Sequence, residues 1–204
     1  MTNTTSRSRV LAGAAIAAPV LLLASTLAYV ASDGLGDDPA GGAIQVYAAV
    51  AFALAIFGIT GRLEASVPRI ATALTVAGMV GVAGATGFGH DSIVFSYNPV
   101  AALSEQESAA AGLSLFLPGI LFPLALAALG VACAKTQVGP RWAGVLLALG
   151  GLCFPVSRIG EIPALALAAD GLIAAGMVPI GLAALRGSGA QRRAARFQPD
   201  QVPA

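Results

Sequence analysis

The chain has 204 residues, 57% of them hydrophobic and only 10% charged, with 11 basic and 10 acidic side chains and a net charge of +1. A soluble domain carries about 25% charged residues, and a mean hydropathy of +0.83 leaves too little polar surface to face water. Lipid is therefore the expected solvent. The near-zero net charge gives no basic footprint for nucleic acid, and two cysteines with one histidine are too few for a conventional structural zinc site.

A helix needs about 20 mostly apolar residues to cross a bilayer. The first such stretch covers residues 10–30. Its basic flank, Arg7 and Arg9, also suits a cleaved signal peptide. Its length exceeds an ordinary signal core, however, and no clean small-x-small cleavage site follows, so a retained helix is expected. The next spans are 42–60, 70–88 and 110–134. The last apolar run, 142–185, is too long for one crossing; Pro163 near its middle divides it into 142–161 and 164–185, as a proline at a helix break should. The whole is an all-α, polytopic bundle of six spans over residues 10–185, with a short segment 1–9 before it. A basic tail, 186–204, follows and is expected to be unstructured.

Basic residues orient membrane helices. With the N-terminus in the cytoplasm, Arg7, Arg9, Arg62, Arg69, Lys135, Arg141, Arg186, Arg192, Arg193 and Arg196 all fall inside, and Arg158 alone falls outside. Acids are a weaker determinant, but Asp33, Asp37, Asp38, Asp91, Glu105, Glu107, Glu161 and Asp170 fall outside or near it, leaving Glu64 and Asp200 inside. Both termini are thus expected in the cytoplasm. Most loops are short and carry glycine or proline. The exception, residues 89–109, has room for an interfacial helix. Phe95 and Tyr97 suit headgroup level there, and Ser104 in "SEQE" is a candidate N-cap for the fourth span.

Residues 53–78 align without a gap on 125–150. Ala53, Leu54, Ala55, Gly58, Pro68, Arg69, Ala71, Leu74 and Gly78 all recur at an offset of 72. The end of the sixth span, "VPIGLAALRG", also resembles "FPLALAALGV" in the fourth. The even-numbered spans then become relatives in a set of parallel helical hairpins, unlike the inverted repeats of many transporters.

Within the spans, Gly78, Gly81, Gly84 and Gly87 recur every three residues, a pattern that allows close backbone approach or lines a narrow pore. Packing is the expected role. Pro118, Pro123, Pro155 and Pro179 are candidate kinks. His90 and Asp91 adjoin, a composition suited to acid–base or metal chemistry, yet no second histidine exists and a solvated loop is the simpler expectation. No Gly-x-Ser-x-Gly, HExxH, Walker A or GxGxxG pattern is present.

The stretch "SRIGEIPALALAADG" places three charges in the last apolar run. At about 1.5 Å per residue, Arg158 lies about 24 Å up the fifth span and Asp170 about 22 Å up the sixth. The two are therefore level on adjacent antiparallel helices, just below the outer edge of a hydrocarbon layer about 30 Å thick. Glu161 is at the turn, near the outer interface, and stands three positions from Arg158, within reach on one helix face. A lone charge at this depth costs a few kcal/mol, about +3 on insertion scales. Arg158 is expected to pair with Asp170, Glu161 or both, as a structural ion pair or an outward polar site. By the same ruler Cys133 and Cys153 lie at different depths and are not expected to bond.

The expected function follows from scarce polar groups in the spans. The leading expectation is a non-catalytic accessory or signalling protein that meets a membrane protein partner, or a second copy of itself, through helix contacts. A transporter or channel for a small solute or ion, built around Arg158, Glu161 and Asp170, is the alternative. An intramembrane enzyme using His90, Asp91 or Glu161 is the third. No cofactor, metal or nucleic acid is implied, and the lipid bilayer is the constant partner. The cytoplasmic membrane of a bacterium is the expected location, the alanine- and glycine-rich composition suiting a GC-rich genome.

Overall fold

The computed structural model describes residues 3–32, 34–35, 38–106 and 108–196, with the backbone alone over 3–5 and 187–196. Asp33, Asp37, Glu107, Asp200 and the tail 197–204 lie outside the described residues. Six helices are long and apolar enough to cross a membrane, and no strand occurs among the described residues. They are α1 (Asn3–Ala31), α2 (Pro39–Leu63), α3 (Pro68–Tyr97), α4 (Ala109–Thr136), α5 (Arg141–Ile159) and α6 (Pro163–Arg196). Most boundaries fall within a few residues of the hydropathy runs, because glycine- and proline-rich connections leave helices little choice of end point.

Local chemistry sets the helix starts. Asp38 caps α2, its carboxylate accepting from the Gly41 N–H at 2.5 Å, with Pro39 in the first turn. Pro68 opens α3 and Pro140 immediately precedes α5, where a missing N–H has no intrahelical role. The α4 cap is Ser108, which accepts from the Ala111 N–H at 3.1 Å. This corrects the expectation for Ser104, which instead sits in a short 3-10 turn, Leu103–Glu105. α4 includes a π-helical turn, Gly112–Phe116, just ahead of Pro118. The proline ring crowds the carbonyl four residues back and cannot donate to it, so the helix widens there.

Three helices run well past their hydropathy limits, α1 being helical from Asn3 where the span is expected to start at residue 10. α3 continues from the expected end near residue 88 to Tyr97, so Phe95 and Tyr97 belong to a long third helix and not to a separate interfacial one. Residues 99–105 form two 3-10 turns after it. α6 is helical to Arg196, so the backbone over 187–196 is helical where composition suggests an unstructured tail.

Each helix packs on its neighbour in the chain, and α6 returns to pack on α1, closing a ring. The connections 64–67, 137–140 and 160–162 are too short for anything but antiparallel neighbours. The start of α1, the end of α2, the start of α3 and the end of α6 consequently lie together; this is called the termini end, and the opposite end the hairpin end. Phe52 of α2, Phe122 of α4 and Phe154 of α5 meet inside the ring as edge-to-face pairs, with centroids 5.0 and 6.0 Å apart. Leu126, Leu129, Leu147, Ile173 and Met177 are fully buried around them. Outward, every helix shows apolar side chains, among them Val20, Val50, Val76, Ile120, Leu149 and Leu182. Hydrocarbon is the environment that matches such a surface.

Glycines make the α3–α4 contact. A Cβ on Gly81 would meet the Phe122 backbone at 2.5 Å, and one on Gly84 would run into Pro118 and Gly119. The every-third-glycine pattern therefore serves close helix packing at these two positions. Both cysteines are free.

Candidate functional site

The most polar buried position in the bundle is Asp170 on α6, which is wholly enclosed. Arg158 of α5, one-fifth exposed, donates from Nη2 to Asp170 Oδ2 at 3.1 Å. The same Nη2 donates to the hydroxyl of Thr26, and that hydroxyl donates to Asp170 Oδ2. Three groups from α5, α6 and α1 thus form a closed ring of hydrogen bonds. The Phe154 ring, one helical turn before Arg158, has its centroid 4.9 Å from the guanidinium carbon, a distance at which a cation and a π face attract.

Burial explains the arrangement. Neither ion can reach bulk water at full strength from inside an apolar bundle, so each requires a counter-charge and a donor or acceptor. Thr26 supplies both a lone pair and a proton at one atom. Asp170 Oδ1 and Arg158 Nε have no hydrogen-bond partner among the described residues. The pair is therefore satisfied on one edge of each group and not on the other.

Glu161 does not join the cluster. It is exposed, with φ +49°, and makes no ion pair among the described residues. The reason is the end of α5. Ile162 N–H donates to Ser157 O at 3.0 Å and Glu161 N–H to Arg158 O at 3.3 Å, the two bonds of a Schellman motif. Glu161 occupies its left-handed position, which turns the side chain off the helix face that carries Arg158. Of the alternatives expected for Arg158, the contact with Asp170 forms and the one with Glu161 does not.

His90 and Asp91 do not converge on the cluster either. His90 is exposed. Asp91 is buried, and its carboxylate accepts from Leu103 N–H at 2.6 Å and Ser104 N–H at 2.9 Å. It caps the 3-10 turn at Leu103–Glu105 and ties that loop to α3. No hydrogen bond or ion pair joins His90, Asp91 and Glu161 among the described residues, and no group of three or more metal-ligating side chains forms among them.

Two features were not expected from the sequence. A second polar network lies near the hairpin end. The Tyr29 hydroxyl is 3.1 Å from both Gln45 Oε1 and Ser92 Oγ, Gln45 donates to Ala85 O at 3.0 Å, and Ser25 donates to Gly41 O at 2.8 Å. Ser25 and Tyr29 share one face of α1 by their spacing of four, while Thr26 faces α5 and α6. The stretch "STLAY" therefore serves both sides of the helix, a signal visible only once the neighbours of α1 are known. The other feature is a cavity of about 560 Å³ at the termini end, bordered by α1, α2, α3 and α6, with Arg7, Arg62, Thr60 and Thr75 in its wall.

Fold and sites together define a multi-pass helical membrane protein. No protein-family model matches the chain, and no curated protein or solved structure shows significant similarity to it.

Proposed function

We propose that this chain is a six-span protein of a bacterial cytoplasmic membrane, with both termini inside, acting without catalysis as an accessory or signalling partner. It binds another membrane protein, or a second copy of itself, through its lipid-facing helix surfaces. The observation that carries this reading is that the charged and titratable side chains are dispersed and do not converge on one pocket. Arg158, Asp170 and Thr26 answer one another within one chain, Asp91 is committed to loop N–H groups, and His90 and Glu161 stand apart in the exposed surface. The orientation is supported by the basic residues of the termini end and the positive-inside bias. The repeat of residues 53–78 in 125–150 supports a bundle assembled from related hairpins, Pro68 and Pro140 both standing at helix starts.

The test is photo-crosslinking in native membranes, with one probe per helix at Val20, Val50, Val76, Ile120, Leu149 and Leu182. A discrete protein adduct from one face, abolished by tryptophan at neighbouring positions of that face, is expected. Lipid adducts alone from all six positions would refute the reading.

One observation favours a second reading, an ion or proton site at Asp170. The unpartnered Asp170 Oδ1 is the acceptor atom such a site would use. Ion or proton flux into proteoliposomes, abolished by Asp170→Asn, would establish it in place of the first.

A further inference from the structure

The cavity at the termini end is amphipathic. Its polar wall holds two arginines, Arg7 of α1 and Arg62 of α2, against a single carboxylate, Glu64. Next to it runs an apolar groove between α1 and α2, formed by Val10, Leu11, Leu54 and Phe57 and reached by Arg7. Arg7, Leu11 and Phe57 border both spaces, so the groove leads into the cavity. Val10, Leu54 and Phe57 are between two-fifths and three-fifths exposed, on a surface that faces hydrocarbon.

Arg7 stands where the two spaces meet, and Arg62 lines the cavity alone. Arg7 lies 5.7 Å from the centroid of the Phe57 ring. Arg62 spends one Nη2 donor on the Ala184 carbonyl of α6, at 3.2 Å, which anchors it beside the opening. The hydroxyls behind them are already engaged. Thr60 donates to Ile56 O at 2.9 Å and stands 2.8 Å from the Thr75 hydroxyl. Attraction for a ligand in this cavity therefore comes from fixed positive charge, and the ligand must be anionic. Arg186 lies at the same end and adds to the positive field.

A charged head and an apolar chain, side by side and in that order of depth, match a phospholipid. We infer that the cavity and groove form a binding site for an anionic phospholipid of the inner leaflet, its phosphate between Arg7 and Arg62 and one acyl chain along Val10, Leu11, Leu54 and Phe57. Basic pockets between spans on the cytoplasmic side hold anionic headgroups for this physical reason.

The test uses the purified full-length protein in neutral detergent, with the melting temperature followed as phosphatidylglycerol, phosphatidylcholine or inorganic phosphate is added. Phosphatidylglycerol should raise it saturably, with affinity about 30-fold above phosphatidylcholine if each arginine contributes its usual increment near an anionic surface. Inorganic phosphate at the same concentration should leave it unchanged. R7Q/R62Q should lose the preference, whereas R69Q/R141Q, at the same end but outside the cavity, should keep it. R7Q alone leaves the Arg62–Ala184 bond intact and should reduce the preference several-fold. Leu54→Trp fills the groove without altering charge and should weaken phosphatidylglycerol selectively. Equal responses to the two lipids, a preference that survives R7Q/R62Q, or a full shift from inorganic phosphate would each overturn the site.

Discussion

Arg158 and Asp170, twelve residues apart in sequence, meet at 3.1 Å across the α5–α6 hairpin, with the hydroxyl of Thr26 from α1 bonded to both. The contact joins the two ends of the chain, since α1 and α6 are the helices that close the ring. Removing one ion of a buried pair leaves the other uncompensated, which costs about 3–5 kcal/mol. Asp170→Ala should therefore destabilise the protein by about that amount, measured by unfolding in mixed micelles. The double variant R158M/D170L removes both charges at similar volume and should recover most of the loss, because well-packed apolar pairs match or exceed buried ion pairs. A double variant as unstable as the single one would show that the side chains do more than neutralise each other.

Thr26 is predicted to act only through that pair. Thr26→Val keeps the shape and deletes the hydroxyl, and should cost about 1–3 kcal/mol by leaving a donor and an acceptor short of a partner. In the Asp170→Ala background the same change should cost much less, because the proton of Thr26 has lost its acceptor. The double-mutant cycle measures this coupling directly. Additive effects would mean that Thr26 stabilises α1 by some other contact.

The spans and the Arg158–Asp170 contact are legible in the sequence because both depend on one coordinate, depth. Counting 1.5 Å per residue gives the height of a residue in the membrane but not the direction in which it points. Thr26 was missed for that reason: it is small, uncharged, and on a helix whose packing against α6 no local pattern announces. Glu161 fails on a different ground. The three-residue spacing implies a contact only inside a helix, and α5 ends before reaching it. The extent of α3 is obscured because His90 and Asp91 interrupt the hydropathy run, while the backbone continues as helix with Asp91 satisfied by Leu103 and Ser104. Arg7 and Arg62 read as topology signals, and only the ring geometry brings them to one cavity.

The backbone at Glu161 gives a prediction with an unusual sign. A side chain at φ +49° costs about 1–2 kcal/mol that glycine does not incur. Since Glu161 makes no ion pair among the described residues, Glu161→Gly should stabilise the protein by up to about 1 kcal/mol. A loss of stability comparable to Asp170→Ala would restore the carboxylate to the charged cluster.

Asp91 should govern the loop and not the bundle. Its carboxylate holds the N–H groups of Leu103 and Ser104, so Asp91→Ala frees two donors at the membrane edge, where water can replace them. Hydrogen exchange should accelerate at Leu103 and Ser104, while amides in α5 and α6 remain protected. Equal acceleration throughout would make Asp91 a determinant of the whole fold.

The glycines should divide by what their missing Cβ would touch. Gly84 lies against Pro118 and Gly119, whereas the space beside Gly171 is open to 4 Å. Gly84→Ala must push α3 and α4 apart or shift the π-helical turn ahead of Pro118, and overpacking of this kind costs about 1–3 kcal/mol. Gly171→Ala meets nothing, sits one residue from the buried Asp170, and should gain up to about 1 kcal/mol from reduced backbone freedom. The two variants add the same methyl group to the same residue type within helices of one protein. Their difference in melting temperature therefore isolates the α3–α4 approach from intrinsic helix preference. Equal shifts would mean that glycine at position 84 reflects composition alone, and the close packing of that crossing would need another source.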